Sequence, residues 1–146
     1  MTVTQLLDYL TTQEEAIMTY NASNIILQAH SNKGYANEKR ARSRTGGHFF
    51  LLSNYSSNPN NCAVMTIEMI IKAVVSLATE AELGALFLNA KEVVFIRQIL
   101  TKMSHPQPRT PIQTDNMTVE TAVNSRFKAM DMRIHWLKCR EAQGQL

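Results

Sequence analysis

Two acids stand out for what they could do together. Glu82 lies in T-E-A-E-L-G-A-L-F (79–87), a stretch that opens a helix, and Asp115 ends the short apolar run of P-I-Q-T-D-N (111–116). A helix N-terminus and a strand end can meet at one end of a sheet. Carboxylates gathered there suit a hard, oxygen-seeking divalent ion and, with it, phosphodiester hydrolysis. Both acids also have plainer uses. Thr79 and Glu82 stand at capping-box spacing, Glu80 favours a first helical turn, and Asp115-Asn116 can cap a following helix. Between residues 31 and 47 a polar stretch holds Lys33, Lys39, Arg40, Arg42 and Arg44 against one acid, Glu38. Such a stretch is either a solvated surface or a set of phosphate contacts. His30, His48 and His135 lack metal-ligand spacing and are expected in structural or surface roles, and Trp136 is expected in the core.

The elements that must position these residues follow from hydrophobic periodicity. Leu6, Leu7, Leu10, Ile17 and Met18 predict an amphipathic helix over 4–18. Ile25 to His30 is short and isoleucine-rich and predicts a strand, followed by the polar segment 31–47 as a loop. Gly46-Gly47 opens a second strand, His48 to Leu52, and Cys62 to Val75 is a third apolar segment. From Thr79 to Leu100 apolar residues recur every three or four positions, giving an amphipathic helix of about six turns, with Thr79 as cap and Glu82 as its partner. S-H-P-Q-P-R-T-P ends that helix and forces an extended link. Pro111 to Thr114 is the next strand, Met117 to Val123 a short helix, and Arg126 to Arg140 a second amphipathic helix. Three strands, helix, strand, helix, helix describe an α/β sandwich with a mixed sheet.

At 146 residues the chain fits one domain with a substantial core. Its 45% hydrophobic content and mean hydropathy of -0.19 are those of an ordinary soluble protein. A formal charge of +3 permits an anionic partner without requiring one. Cys62 and Cys139 are far apart and have no Cys or His companions, which argues against zinc and for free thiols. The first residues carry acids and no basic region, unlike a signal peptide. No apolar run approaches the ~20 residues of a membrane span, so no membrane partner is expected. The expected compartment is intracellular, cytoplasmic or nuclear.

Six pieces in order carry a specific resemblance. They are H-S-N-K-G-Y (30–35), R-S-R-T-G-G-H-F-F-L (42–51), I-I-K-A-V-V-S-L (70–77), T-E-A-E-L-G-A-L-F (79–87), P-I-Q-T-D-N (111–116) and K-A-M-D-M-R-I-H-W (128–136). Together they resemble the ribonuclease H domain of copia-type retrotransposon polyproteins. The resemblance implies residues 23–146 as a ribonuclease H-like α/β sandwich with a mixed sheet that lacks its last strand. Residues 1–22 are then an N-terminal helix or the tail of a polymerase connection.

The activity implied is hydrolysis of the RNA strand of an RNA–DNA hybrid by two magnesium or manganese ions, with the polymerase portion of the same polyprotein as a further partner. By position, Glu82 and Asp115 match metal-holding acids, and Asp131 is the late candidate for the fourth. Asn32 falls where the first-strand Asp belongs and removes a full negative charge. Lys33, Lys39, Arg40, Arg42 and Arg44 become candidate hybrid contacts. The expectation is therefore a hydrolase by ancestry with weak or absent hydrolysis. The alternative is an inactive remnant or domesticated nucleic-acid or protein interaction module.

Overall fold

The structure is a computed structural model that describes residues 3–12, 17–53, 61–72, 77–115 and 132–146. In chain order these residues form α1 (Val3–Thr11), β1 (Ile26–Glu38), a 3₁₀ turn (Lys39–Ala41), β2 (Arg42–Leu52), β3 (Met65–Ile70), α2 (Ala78–Lys102), β4 (Ile112–Thr114) and α3 (Met132–Ala142). The strands make a four-stranded sheet in the order β3-β2-β1-β4. β1 pairs antiparallel with β2 and β2 antiparallel with β3, while β4 lies parallel to β1 with Ala29 opposite Ile112 and Ser31 opposite Thr114. The expected mixed sheet is therefore present, with β1 internal and β4 parallel beside it.

Alternation along β1 decides which face meets α2. Leu27, Ala29 and Ser31 are buried, whereas His30 and Asn32 are exposed. Leu27 and Ala29 join Phe49, Val93 and Leu100 in the main core. A second cluster of Leu83, Ala90, Ile134 and Leu137 joins α2 to α3. Trp136 sits half-buried at the rim of that cluster rather than inside it, edge-on to Phe87 at 5.3 Å and under the Arg140 guanidinium at 5.0 Å.

The polar stretch 31–47 is strand, not loop. β1 runs on to Glu38 and β2 begins at Arg42, so the two form a long hairpin arm. The period is hidden because its buried positions are filled by Ser31, Ser43 and Thr45, polar residues that a hydrophobicity pattern scores as surface. At the tip, Arg40 and Ala41 adopt left-handed backbone with φ of 62° and 52°. That conformation costs an L-residue about 1 kcal/mol, which glycine avoids. Ala41→Gly is expected to raise the unfolding free energy by up to about 1 kcal/mol, read as a higher urea midpoint at unchanged slope.

α1 is shorter than expected. It stops at Thr11, where the Thr11 and Thr12 hydroxyls donate to the Asp8 and Tyr9 carbonyls and close the last turn. Ile17 and Met18 lie in exposed, irregular chain. The cap of α2 also differs. Leu77 is the N-cap residue, and its N–H donates to Glu80 Oε2 at 3.4 Å, so Glu80 takes the role expected of Glu82. The expected helix Met117–Val123, the start of the last helix before Met132, and Asp131 lie outside the described residues.

Two side chains convert the proline-rich link into an edge for β4. Arg97 on α2 donates to the Pro108 carbonyl, to Thr110 Oγ1 at 2.7 Å and to the Gln107 carbonyl at 3.0 Å. Burial pushes its guanidinium below the usual arginine range. Gln107 acts as a substitute strand residue. Its Oε1 accepts from Leu27 N–H at 2.9 Å and its Nε2 donates to the Ile25 carbonyl at 2.9 Å. Gln107→Ala leaves the β1 backbone groups without those partners where β4 has not yet begun. The expected loss is about 1–3 kcal/mol in urea unfolding, with early exchange of the Leu27 amide.

Candidate functional site at the sheet end

Glu82 stands in the second turn of α2, on the side that faces the sheet. It is 5% exposed, and its Oε1 lies 3.1 Å from Lys33 Nζ. Lys33 continues the buried face of β1 by the same alternation that places Leu27, Ala29 and Ser31, and its side chain is 14% exposed. Its ammonium also lies 5.8 Å from the centre of the Tyr35 ring. Residue 33, read from sequence as a phosphate contact, is thus the partner of the buried carboxylate.

Two turns further along α2, Asn89 is fully buried against the same strands. Its Nδ2 lies 2.7 Å from Ser31 Oγ, 2.9 Å from the Gly46 carbonyl and 3.4 Å from Thr45 Oγ1. A Cβ on Gly47 would fall 2.2 Å from Asn89 Oδ1, so the close approach of helix and strand requires glycine there. α2 therefore meets the sheet through polar contacts at its N-terminal end and apolar ones towards its C-terminal end. Neither Asn89 nor the role of Lys33 was found from sequence. The signals were a lone Asn on the apolar face of a helix and a lysine in phase with buried strand residues.

Asn32 and Asp115 occupy the next positions of the parallel pair after Ser31 and Thr114. Both residues are exposed. The Asn32 Oδ1 accepts the Lys33 backbone N–H at 2.6 Å, and no described hydrogen bond joins Asn32 to Glu82 or Asp115. Asn32 and Asp115 thus each lie one residue past the last paired position of the ladder, and Lys33 meets Glu82. Asp131 lies outside the described residues.

The cations of the hairpin divide into two groups. Arg44 is held by two acids, with Nη2 at 2.6 Å and Nε at 2.7 Å from Glu38 Oε1, and Nη1 at 3.1 Å from Glu68 Oε1. The hydrogen bond to Glu38 keeps its guanidinium above the usual arginine range. Lys39 and Arg40 are exposed at the tip, and Arg42 is half-buried with its Nε lacking a hydrogen-bond partner. No ion pair holds these three among the described residues. A cleft of about 510 Å³ on the arm is lined by Asn32, Lys33, Arg44, Gly46, His48 and Glu68, among others. His30 and His48 lie on the open face against Phe50, with ring centres 4.9 and 6.5 Å away.

The described residues alone do not form a two-metal centre. Among the described residues no three His, Cys, Asp or Glu side chains are grouped to hold a metal ion. Glu82 is already paired with an ammonium, position 32 offers an amide, and Asp115 stands in solvent. Magnesium is usually held by one or two carboxylates together with water and substrate phosphate, and of the two acids here Glu82 is committed to Lys33 while Asp115 is exposed.

Comparison with solved structures gives the architecture its name. The N-terminal RNase H domain of rv2228c from Mycobacterium tuberculosis, solved as a fusion with maltose-binding protein, matches with a TM-score of 0.56. The match covers 83% of this chain and 77% of that one at 10% sequence identity. The fold is ribonuclease H-like. No protein-family model and no curated protein matches the sequence. Among the described residues, no helix of this ribonuclease H-like chain is long and apolar enough to cross a membrane.

Asn89→Ala tests the polar seam beneath the site. It removes the shared donor from Ser31, Thr45 and Gly46 and opens a small cavity. The expected cost is about 2 kcal/mol in urea unfolding, with faster amide exchange in β1 and β2 around those residues.

Proposed function

We propose that this chain is a ribonuclease H-derived domain of retroelement origin that holds RNA–DNA hybrid and does not hydrolyse it. The ribonuclease H-like architecture supports the ancestry, and the six copia-type sequence pieces support the retroelement source. The observation that carries the loss of hydrolysis is the Lys33–Glu82 pair. The buried carboxylate of the ancestral centre is neutralised by a lysine, while its neighbour at 32 is an amide. Hybrid binding is supported by Lys39, Arg40 and Arg42, whose charges no described acid offsets, at the tip of the β1–β2 arm. Cations of this kind release condensed counter-ions from phosphates and bind duplex without reading sequence. The polymerase portion of a parent polyprotein is the protein partner that this origin implies.

The test pairs binding with cleavage on one labelled hybrid. Fluorescence anisotropy is expected to give salt-sensitive affinity. Lys39→Ala/Arg40→Ala/Arg42→Ala is expected to lower the slope of log affinity against log salt by roughly two to three, at somewhat under one unit per phosphate contact. No RNA cleavage is expected in magnesium or manganese. Cleavage that disappears in Glu82→Gln would instead identify a working hydrolase. Salt-insensitive or absent binding would remove the hybrid from the proposal.

A further inference from the structure

We infer that the Lys33 ammonium is the resident cation of the Glu82 site, so that the chain carries its own counter-ion where a ribonuclease-type centre takes a divalent metal. The inference rests on the preceding reading for what the site descends from. Its physical content concerns the free protein alone.

The Glu82 carboxylate is enclosed between α2 and the sheet, and an ionised carboxylate in that position is costly without a paired charge or hydrogen-bond donors. Lys33 Nζ supplies it at 3.1 Å, from a strand position whose neighbour two residues back, Ser31, is tied to α2 through Asn89. The ammonium is therefore delivered by the framework and not by a wandering surface chain. The oxygen that position 32 could offer a metal accepts the Lys33 backbone N–H. Among the described residues no group of three acid, cysteine or imidazole side chains forms there. A dication would have to displace a fixed ammonium and would gain one carboxylate in return.

An ordinary structural ion pair and a filled cation site respond differently when the lysine is removed. An ordinary pair leaves a destabilised protein that ignores metals. A cation site with its occupant removed accepts a replacement of the same sign. Lys33→Met keeps most of the aliphatic stem and removes the charge, and Mn2+ alone serves as the probe.

The wild-type melting midpoint is expected to be the same in EDTA and in millimolar Mn2+. The midpoint of Lys33→Met is expected to fall by roughly 5–10 °C in EDTA and to recover by at least half in Mn2+. Lys33→Met/Glu82→Gln is expected to show no response to Mn2+. If Lys33→Met does not fold in EDTA, folding on addition of Mn2+ supports the inference and failure to fold in Mn2+ overturns it. A Lys33→Met protein that melts lower and ignores Mn2+ also overturns it. In the wild type, Mn2+ is expected to leave the Lys33 and Glu82 amide signals unbroadened. Selective broadening there would show that a metal already occupies the site. All these readouts use protein without nucleic acid, so a failure of hybrid binding would leave them standing.

Discussion

An ionised carboxylate is costly to bury unless it is paired or hydrogen-bonded, and at the upper half of the α2–sheet interface Lys33 supplies that partner for Glu82. At 3.1 Å the attraction between Lys33 and Glu82 is about 5 kcal/mol at an effective dielectric near 20, before the cost of dehydrating both groups. That cost is several kcal/mol per ion. The pair is thus close to balanced as a source of stability, and its influence lies in what it excludes. An alternative register of β1 would carry Lys33 to the open face and leave the carboxylate buried and alone. Asn89 imposes a similar demand two turns along the helix, since its amide finds Ser31, Thr45 and the Gly46 carbonyl in one register of β1 against β2. Polar contacts fix the register, and Leu27, Ala29, Phe49 and Val93 supply the apolar burial beneath it.

This division of labour explains what was legible in the sequence. Ile26 to Ala29, the long periodic helix from Ala78 and the strand after the prolines announce themselves through apolar spacing, and the parallel pairing of β1 with β4 follows from their order. The arm from Ser31 to Gly47 does not, because strand alternation there is written in Ser, Thr and Gly. Small polar residues buried beneath a helix and hydrogen-bonded across strands look like a loop to any reading based on hydrophobicity. The capping of α2 was misread for a related reason. Capping-box spacing fits both Leu77 with Glu80 and Thr79 with Glu82, and the choice between them is made by the tertiary demand that Glu82 face Lys33.

The candidate site was legible in part. Glu82, Asp115 and Asn32 were read from motif order, and in the fold Asn32 lies within β1 one position past Ser31 while Asp115 follows the end of β4 one position past Thr114. The partner of Glu82 was not legible, because a lysine in a run of basic residues reads as one more surface cation. In the fold the run separates. Lys33 points inward by strand phase, Arg44 is taken by Glu38 and Glu68, and Lys39, Arg40 and Arg42 at the tip keep their charge for solvent or a ligand. Alternation, and not composition, assigns these residues to different tasks.

Charge stoichiometry connects the pair to function. Two divalent ions bring four positive charges, which carboxylates and a bound phosphate must share. The described sheet end offers Glu82 and Asp115, and the Lys33 ammonium cancels the first of these. What remains at the described sheet end is one exposed acid and an amide, while Lys39, Arg40 and Arg42, without an ion pair among the described residues, stand at the tip of the hairpin arm. On the proposed reading, a ribonuclease H-like frame with this charge arrangement would hold a nucleic-acid backbone without cutting it. The pair requires no special feature of the sheet, because a lysine at position 33 reaches the buried carboxylate from the strand that the fold already places beside it.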